Sequence, residues 1–238
     1  MGKRIIQQRR GKGGLTYRVR ASAFPFKLGY PQKIEGVCKV VKLVNSPGHS
    51  APLAKIQIKG ITFYNIANYG LIEGQDLDLG GNEIKDGNIL QLSNIPLGSK
   101  VFNIESTPGD GGKLLRVGGS SARISKVEKN GIGVMFPSKK EKIFTPECRA
   151  TIGTVAGSGR LDKPLFKAGK NFHIKKVRGK LYPRTSAVCM NVNDHPFGSG
   201  RGKNLTHGTK GKVPKLNAPP GAKVGTLRPR RTGRKKRW

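Results

Sequence analysis

The sequence predicts an all-β protein: two small barrels in tandem, between basic extensions. Three observations lead there. Short runs in which apolar and polar residues alternate recur along the middle of the chain. Gly and Pro number 34 and 15 in 238 residues, so helix signals are scarce. Charge is segregated, with the ends strongly basic and the middle nearly balanced.

The strand candidates follow in order. Residues 37–44 are rich in Val. In residues 53–59, Ala54, Ile56 and Ile58 alternate with Lys55, Gln57 and Lys59, the mark of a half-buried strand. Residues 61–66 follow Gly60, as the second arm of a hairpin would. Further candidates are residues 100–104, 113–117, 122–127, 132–136 and 142–144. Turn residues separate them, as in Asn130-Gly131 and Pro108-Gly109-Asp110-Gly111-Gly112. Short strands at this spacing suit small antiparallel barrels, which remove exposed sheet edges. The barrel boundary is expected near residues 94–98.

The net charge is +33, from 46 Lys and Arg against 13 Asp and Glu. Residues 1–42 hold 11 basic and 1 acidic side chain, and residues 164–238 hold 20 and 1. Such a surplus opposes compaction unless a polyanion neutralises it. Nucleic acid is the expected partner, and the arms are expected to be disordered without it. An anionic membrane is the competing surface. It calls for an amphipathic helix, whereas Gly11, Gly13, Gly14, Pro25 and Pro31 break the first arm and Pro214, Pro219, Pro220 and Pro229 the second. No run approaches a membrane span, and the N-terminus lacks the apolar stretch of a signal peptide. A soluble, intracellular chain is expected.

Catalytic and metal signatures are missing from the sequence. Cys38, Cys148 and Cys189 form no CxxC pair, so reduced thiols are expected. His49, His173, His195 and His207 have no metal-ligand spacing. The Gly-Lys pairs lack the rest of a P-loop: Gly111-Gly112-Lys113 is followed by Leu114. Two Gly-rich stretches remain, residues 108–123 with Lys113, Arg116 and Arg123, and residues 148–160 with Arg149 and Arg160. Gly lets backbone N–H groups approach phosphate, and Arg adds bidentate bonds. Tight turns carrying solvated charge are the alternative. A third stretch, residues 189–203, holds His195 beside Asp194 but specifies no nucleophile.

These blocks resemble one family. Residues 190–200, Met-Asn-Val-Asn-Asp-His-Pro-Phe-Gly-Ser-Gly, are similar to the MNPxDHPHGGG signature of the universal ribosomal L-two family of the large subunit. Residues 94–119 resemble its NIPxGxxVHNVExxPGxGGxxxRxxG run, and Cys148-Arg149-Ala150-Thr151-Ile152-Gly153 its CRATIG block. Residues 163–170 and the opening Gly2-Lys3-Arg4 with Gln7-Gln8-Arg9 resemble archaeal members. The chain departs from the pattern at Val192 (motif Pro), Phe197 (second His), Ser199 (Gly), Phe102 (commonly His) and His49 (usually Arg).

The resemblance implies a basic extension over residues 1–36, an OB-like barrel over 37–97, an SH3-like barrel over 98–178, and a basic extension over 179–238 that carries the signature loop 189–203. It implies a structural constituent of the large ribosomal subunit, cytoplasmic, that binds rRNA near the peptidyl-transferase region and supports assembly, subunit association and tRNA binding. The expected rRNA-contacting residues are Lys113, Arg116, Arg123, Arg149, Arg160, Asn191, His195, Arg201 and Lys203. Partners would be large-subunit rRNA, neighbouring ribosomal proteins and, by contact, the small subunit. Peptide-bond formation in the family belongs to RNA, so no catalytic residue, metal or cofactor is implied. A free nucleic-acid chaperone or DNA-compacting protein is the other class that charge alone allows.

Overall fold

The computed structural model describes residues 2–32, 34–128, 131–199, 217 and 219–225. The chain forms two compact units: Arg20–Asn171, and Met1–Val19 together with Phe172–Trp238.

The first of these is the sheet unit. Ten strands order as β3-β2-β1-β4-β5-β10-β6-β7-β8-β9. They are β1 Gly36–Val44, β2 Leu53–Ile58, β3 Ile61–Ile66, β4 Asp76–Leu79, β5 Ile89–Gln91, β6 Lys100–Phe102, β7 Ala122–Glu128, β8 Gly131–Met135, β9 Glu141–Phe144 and β10 Arg149–Ile152. All pairings are antiparallel except β4 with β5, which meet at Leu79 and Ile89. The all-β expectation holds. The β2–β3 hairpin turns on Lys59 and Gly60, with φ of 46° and 80°. Positive φ at both central residues gives the twist that two-residue hairpins need.

Alternation becomes burial. In β2, Ile56 and Ile58 are buried whereas Gln57 is exposed. Val40, Ile56, Ile58, Leu77, Leu79 and Ile89 form one apolar cluster. Leu90, Val101, Ile104, Ile124, Ile132, Val134, Phe144 and Ile152 form a second. Phe102 belongs to a third, with Leu53, Ile66 and Val155. Phe102 is fully buried, so the apolar ring at this motif position is core. Burying each such side chain contributes roughly 1.5–3 kcal/mol.

Two readings change. Residues 113–117 are not a strand: Leu115 has φ 58°, and only Leu114 bridges, to Ile104. A left-handed residue stops the extended run before it can pair. Residues 149–152, read as part of a Gly-rich loop, form β10 between β5 and β6. About five strands are expected before residue 100 and five form there, but β4 and β5 have no assigned position in the sequence reading: Asp76 and Asp78 mask the first and three residues are too few to show the second.

Among its described residues, the other unit has little regular structure. Helix α1, Ile6–Gly11, is capped by Gln8, whose side chain accepts the Ile5 N–H at 3.1 Å. Helix α2, Ala168–Val177, begins before the division at Asn171 and buries no residue. Ile5, Phe197 and Val224 make a small apolar cluster with Ala187 and Val188 at its margin.

Candidate nucleic-acid interface

Within the sheet unit, the loop from Ser106 to Gly112 is held by two carboxylates. Asp110 accepts the N–H groups of Ser106 at 3.0 Å, Gly112 at 3.0 Å and Thr107 at 3.4 Å. Desolvation pushes its pKa up, but these bonds and Lys113, at 3.4 Å, outweigh it and hold the carboxyl below the usual range. Glu105 is fully buried and accepts the Gly111 N–H at 3.0 Å and the Arg149 N–H at 2.8 Å. The loop backbone is therefore turned inward onto acids. Gly112, at φ 81°, has no room for a Cβ, which would stand 2.5 Å from the Asn103 carbonyl oxygen.

The predicted arginines divide into two groups. Arg149 donates to Glu105 at 2.9 Å and to the Pro31 carbonyl at 2.8 Å, and lies over the Tyr30 ring. Arg116 donates through Nε to Asn103 Oδ1 at 2.8 Å, and through Nη2 to the Gly112 carbonyl. Burial lowers its pKa, yet a guanidinium stays charged. Lys113, Arg123 and Arg160 are exposed. Lys113 and Arg116 thus share the loop, and Arg149 joins them through Glu105. Arg123 stands on β7 and Arg160 on a 3-10 turn after β10.

Polar residues not anticipated as part of the site build its frame. The Tyr30 hydroxyl donates to the Asn103 carbonyl at 2.7 Å and meets Thr151 Oγ1 at 2.7 Å. Asn65 Nδ2 donates to Thr151 Oγ1 at 3.2 Å, and Asn103 Nδ2 to Asn65 Oδ1 at 2.8 Å. Burial drives the Tyr30 phenol pKa above its ordinary value. A satisfied buried network of this kind rigidifies its surroundings. Tyr30, Asn65, Asn103 and Thr151 are far apart in sequence; Asn103 and Thr151 fall within the blocks 94–119 and 148–153, but nothing in the local spacing shows that the four meet.

The signature loop is described through Ser199; Arg201 and Lys203 lie outside the described residues, as do residues 200, 202, 204–216, 218 and 226–238, where part of the disordered-arm expectation and Trp238 fall. His195 is buried, and its Nδ1 accepts the Phe197 N–H at 3.1 Å. An accepting Nδ1 places the neutral proton on Nε2. Burial lowers the His195 pKa, which disfavours the imidazolium at neutral pH. Asn191 is exposed, but its carbonyl accepts the N–H of Asp194 at 3.0 Å and of His195 at 3.1 Å. Asp194 turns away to Lys3 at 3.4 Å. His195 and Asp194 therefore do not make an acid–base pair with each other.

The departures from the motif have local explanations. Phe197 is buried against Ile5 and Val224, so the ring serves packing. Ser199 has φ 55°, a conformation that favours Gly, and its Oγ accepts the Val192 N–H at 3.1 Å. Val192 supplies an N–H that Pro lacks. His49 meets Ser46 Oγ at 2.7 Å and packs edge-on to Phe24.

Cys38 and Cys148 are buried and Cys189 is exposed; all three are unpaired thiols. Burial pushes the Cys38 thiol up to about 11. Among the described residues, no three His, Cys, Asp or Glu gather at metal-binding distance, and no helix is long and apolar enough to cross a membrane.

Comparison with known proteins gives a consistent result. The family described as ribosomal proteins L2, C-terminal domain, matches residues 85–216. The large ribosomal subunit protein uL2 of Korarchaeum cryptofilum is 42% identical over 246 residues, covering 100% of this chain and 98% of that protein. The large ribosomal subunit protein uL2 of Methanococcoides burtonii is 42% identical over 240 residues, covering 99% and 100%.

Proposed function

Because the chain belongs to the uL2 family, archaeal type, and so is a structural constituent of the large ribosomal subunit, we propose that it holds rRNA near the peptidyl-transferase region through shape and phosphate contacts. An OB-like barrel, residues 37–97, and an SH3-like barrel, residues 98–178, would dock on the RNA by shape. The basic extensions 1–36 and 179–238 would follow the RNA and neutralise phosphates. Side chains read little sequence in an RNA duplex, so backbone and shape dominate. The setting is the cytoplasmic ribosome, with rRNA, neighbouring ribosomal proteins and, at its surface, the small subunit as partners.

The observation that carries this reading is the inward-braced loop 106–112. Its backbone is satisfied by Asp110 and Glu105, which leaves exposed Lys113 on a fixed platform. Arg116 braces the loop carbonyls and is half-buried beside the loop. Arg149 acts by positioning, through Glu105. Arg123 and Arg160 add exposed cationic contacts, and Asn191, His195, Arg201 and Lys203 belong to a second contact in the signature loop. His195 shapes that loop and transfers no proton.

Sedimentation of a lysate through high-salt sucrose gradients tests the reading. Stoichiometric retention on the large subunit is expected. Release to the top of the gradient, or fractionation with DNA, overturns it in favour of nucleic-acid compaction. Subunits carrying His195→Gln are expected to form peptide bonds; assembled subunits that cannot would restore a catalytic role.

A further inference from the structure

We propose that a groove across β6, β7 and β8 takes one unpaired nucleotide of the RNA, an inference that rests on the ribosomal reading above and adds a mode of contact to it. The strand register places Lys100 opposite Arg123, and Arg123 opposite Met135. Directly opposed residues share a face of a sheet, so two cations and a thioether form one row. All three are exposed. Phe136 and Pro137 follow Met135 in the chain, and together these residues line a groove of about 430 Å3.

The chemistry divides along the groove. Lys100 and Arg123 offer charge-assisted bonds to a phosphate. Met135, Phe136 and Pro137 offer apolar surface and a ring to a base. The Phe136 ring is half-buried, packed against the core cluster and 6.2 Å from the Phe144 ring, so it is fixed and only part of it faces the groove. Its turn is closed by the bonds from the Phe136 N–H to the Lys140 carbonyl and from the Lys139 N–H to the Phe136 carbonyl, both at 2.9 Å. The acid in the next register position, Glu141 opposite Met135, is engaged elsewhere. It accepts from Ser125 at 2.5 Å and pairs with Lys126 at 3.4 Å. The row is left cationic. A hollow of this size, inside the ~300–1,000 Å3 range of small-ligand sites, suits a single splayed base. A duplex backbone is convex and would meet only its rim. Unpaired bases stacked on aromatic and apolar side chains are the usual basis of RNA recognition in single-stranded segments.

A chain of net charge +33 binds any short oligonucleotide by charge, so bulk affinity does not report on this groove. Site-resolved ultraviolet cross-linking in purified large subunits does. The expected result is a nucleotide adduct on the peptide that holds Phe136. In subunits carrying K100Q and R123Q together, its yield should fall about tenfold while adducts elsewhere on the chain persist. Both substitutions lie on exposed side chains and keep them polar. Subunits that yield adducts elsewhere but none at residues 135–137, or an adduct undiminished in the double variant, overturn the groove alone. Absence of the chain from large subunits overturns the ribosomal reading, and the groove's role with it.

Discussion

Glu105 and Arg149 meet at 2.9 Å, with the carboxylate wholly buried and 13% of the arginine side chain exposed. The pair joins the loop before Gly112 to the first residue of β10. Glu105 holds the loop through the Gly111 N–H and holds β10 through the Arg149 N–H. A buried charge that loses its partner is costly, whereas a pair replaced on both sides is often neutral.

Arg149→Met is therefore expected to destabilise the sheet unit by about 3 kcal/mol, the low end for a broken buried pair because backbone donors to Glu105 survive. Adding Glu105→Gln should recover part of that loss. Urea midpoints of the two variants decide it. A single-variant change within about 0.5 kcal/mol, the range of ordinary surface substitutions, would show that the pair is not structural.

Asp110 makes the same loop acid-sensitive. Its desolvation is outweighed by bonds from Ser106, Gly112 and Thr107 and by Lys113, so its pKa is lower folded than unfolded. A depressed carboxyl stabilises fully above its unfolded value, about 3.9, and the contribution is lost as pH falls through the folded value. Amide exchange at Ser106 and Gly112 should quicken over that window. Asp110→Ala should show fast exchange at neutral pH, with no such acid step. Slow exchange in that variant would mean the loop is held without its carboxylate.

His195 gives the signature loop a different window. Desolvation lowers its pKa, so below about pH 6.5 the unfolded chain binds the proton more readily than the folded loop. Loop stability is complete above that pH and declines as protonation proceeds through the folded value. Protonating Nδ1 would also remove the acceptor for the Phe197 N–H. Imidazole resonances should titrate below the ordinary value, with loop protection falling in step. In His195→Gln the amide oxygen still accepts, and that pH dependence should vanish. A titration at or above the ordinary value would contradict the buried, neutral ring.

Most of the sheet was legible because its strands are local patterns. Alternation placed β2 within a residue, and Lys59-Gly60 marked its hairpin. Strand β10 was hidden because its partners β5 and β6 lie far upstream, and Arg149 looked like a solvent-facing cation until Glu105 met it. In the candidate site, glycines beside cations identified the loop, Lys113 and Arg116. They said nothing of Tyr30, Asn65, Asn103 and Thr151, whose roles arise from the tertiary fold. Phe102 and Phe197 looked like lost histidines; their burial supplies the reason for an apolar ring.

Gly198→Ala is expected to break the signature loop by collision. An added Cβ would stand 2.3 Å from the Asn191 carbonyl oxygen and 2.4 Å from both the Asn191 carbonyl carbon and the Met190 oxygen. All three are backbone atoms, so no side chain can swing aside. The loop must open, which loses the bond from the Ser199 N–H to the Met190 carbonyl and that from the Gly198 N–H to the His195 carbonyl. The cost should reach about 3 kcal/mol, the upper end for overpacking. Gly60→Ala is the comparison: its φ is +80° but open space surrounds it, so only left-handed strain of about 1–2 kcal/mol applies. Amide exchange at Ser199 should therefore accelerate in the first variant and stay unchanged in the second. Equal protection of Ser199 in Gly198→Ala and the parent chain would mean the tight crossing of residues 190, 191 and 198 is not the form the loop takes in solution.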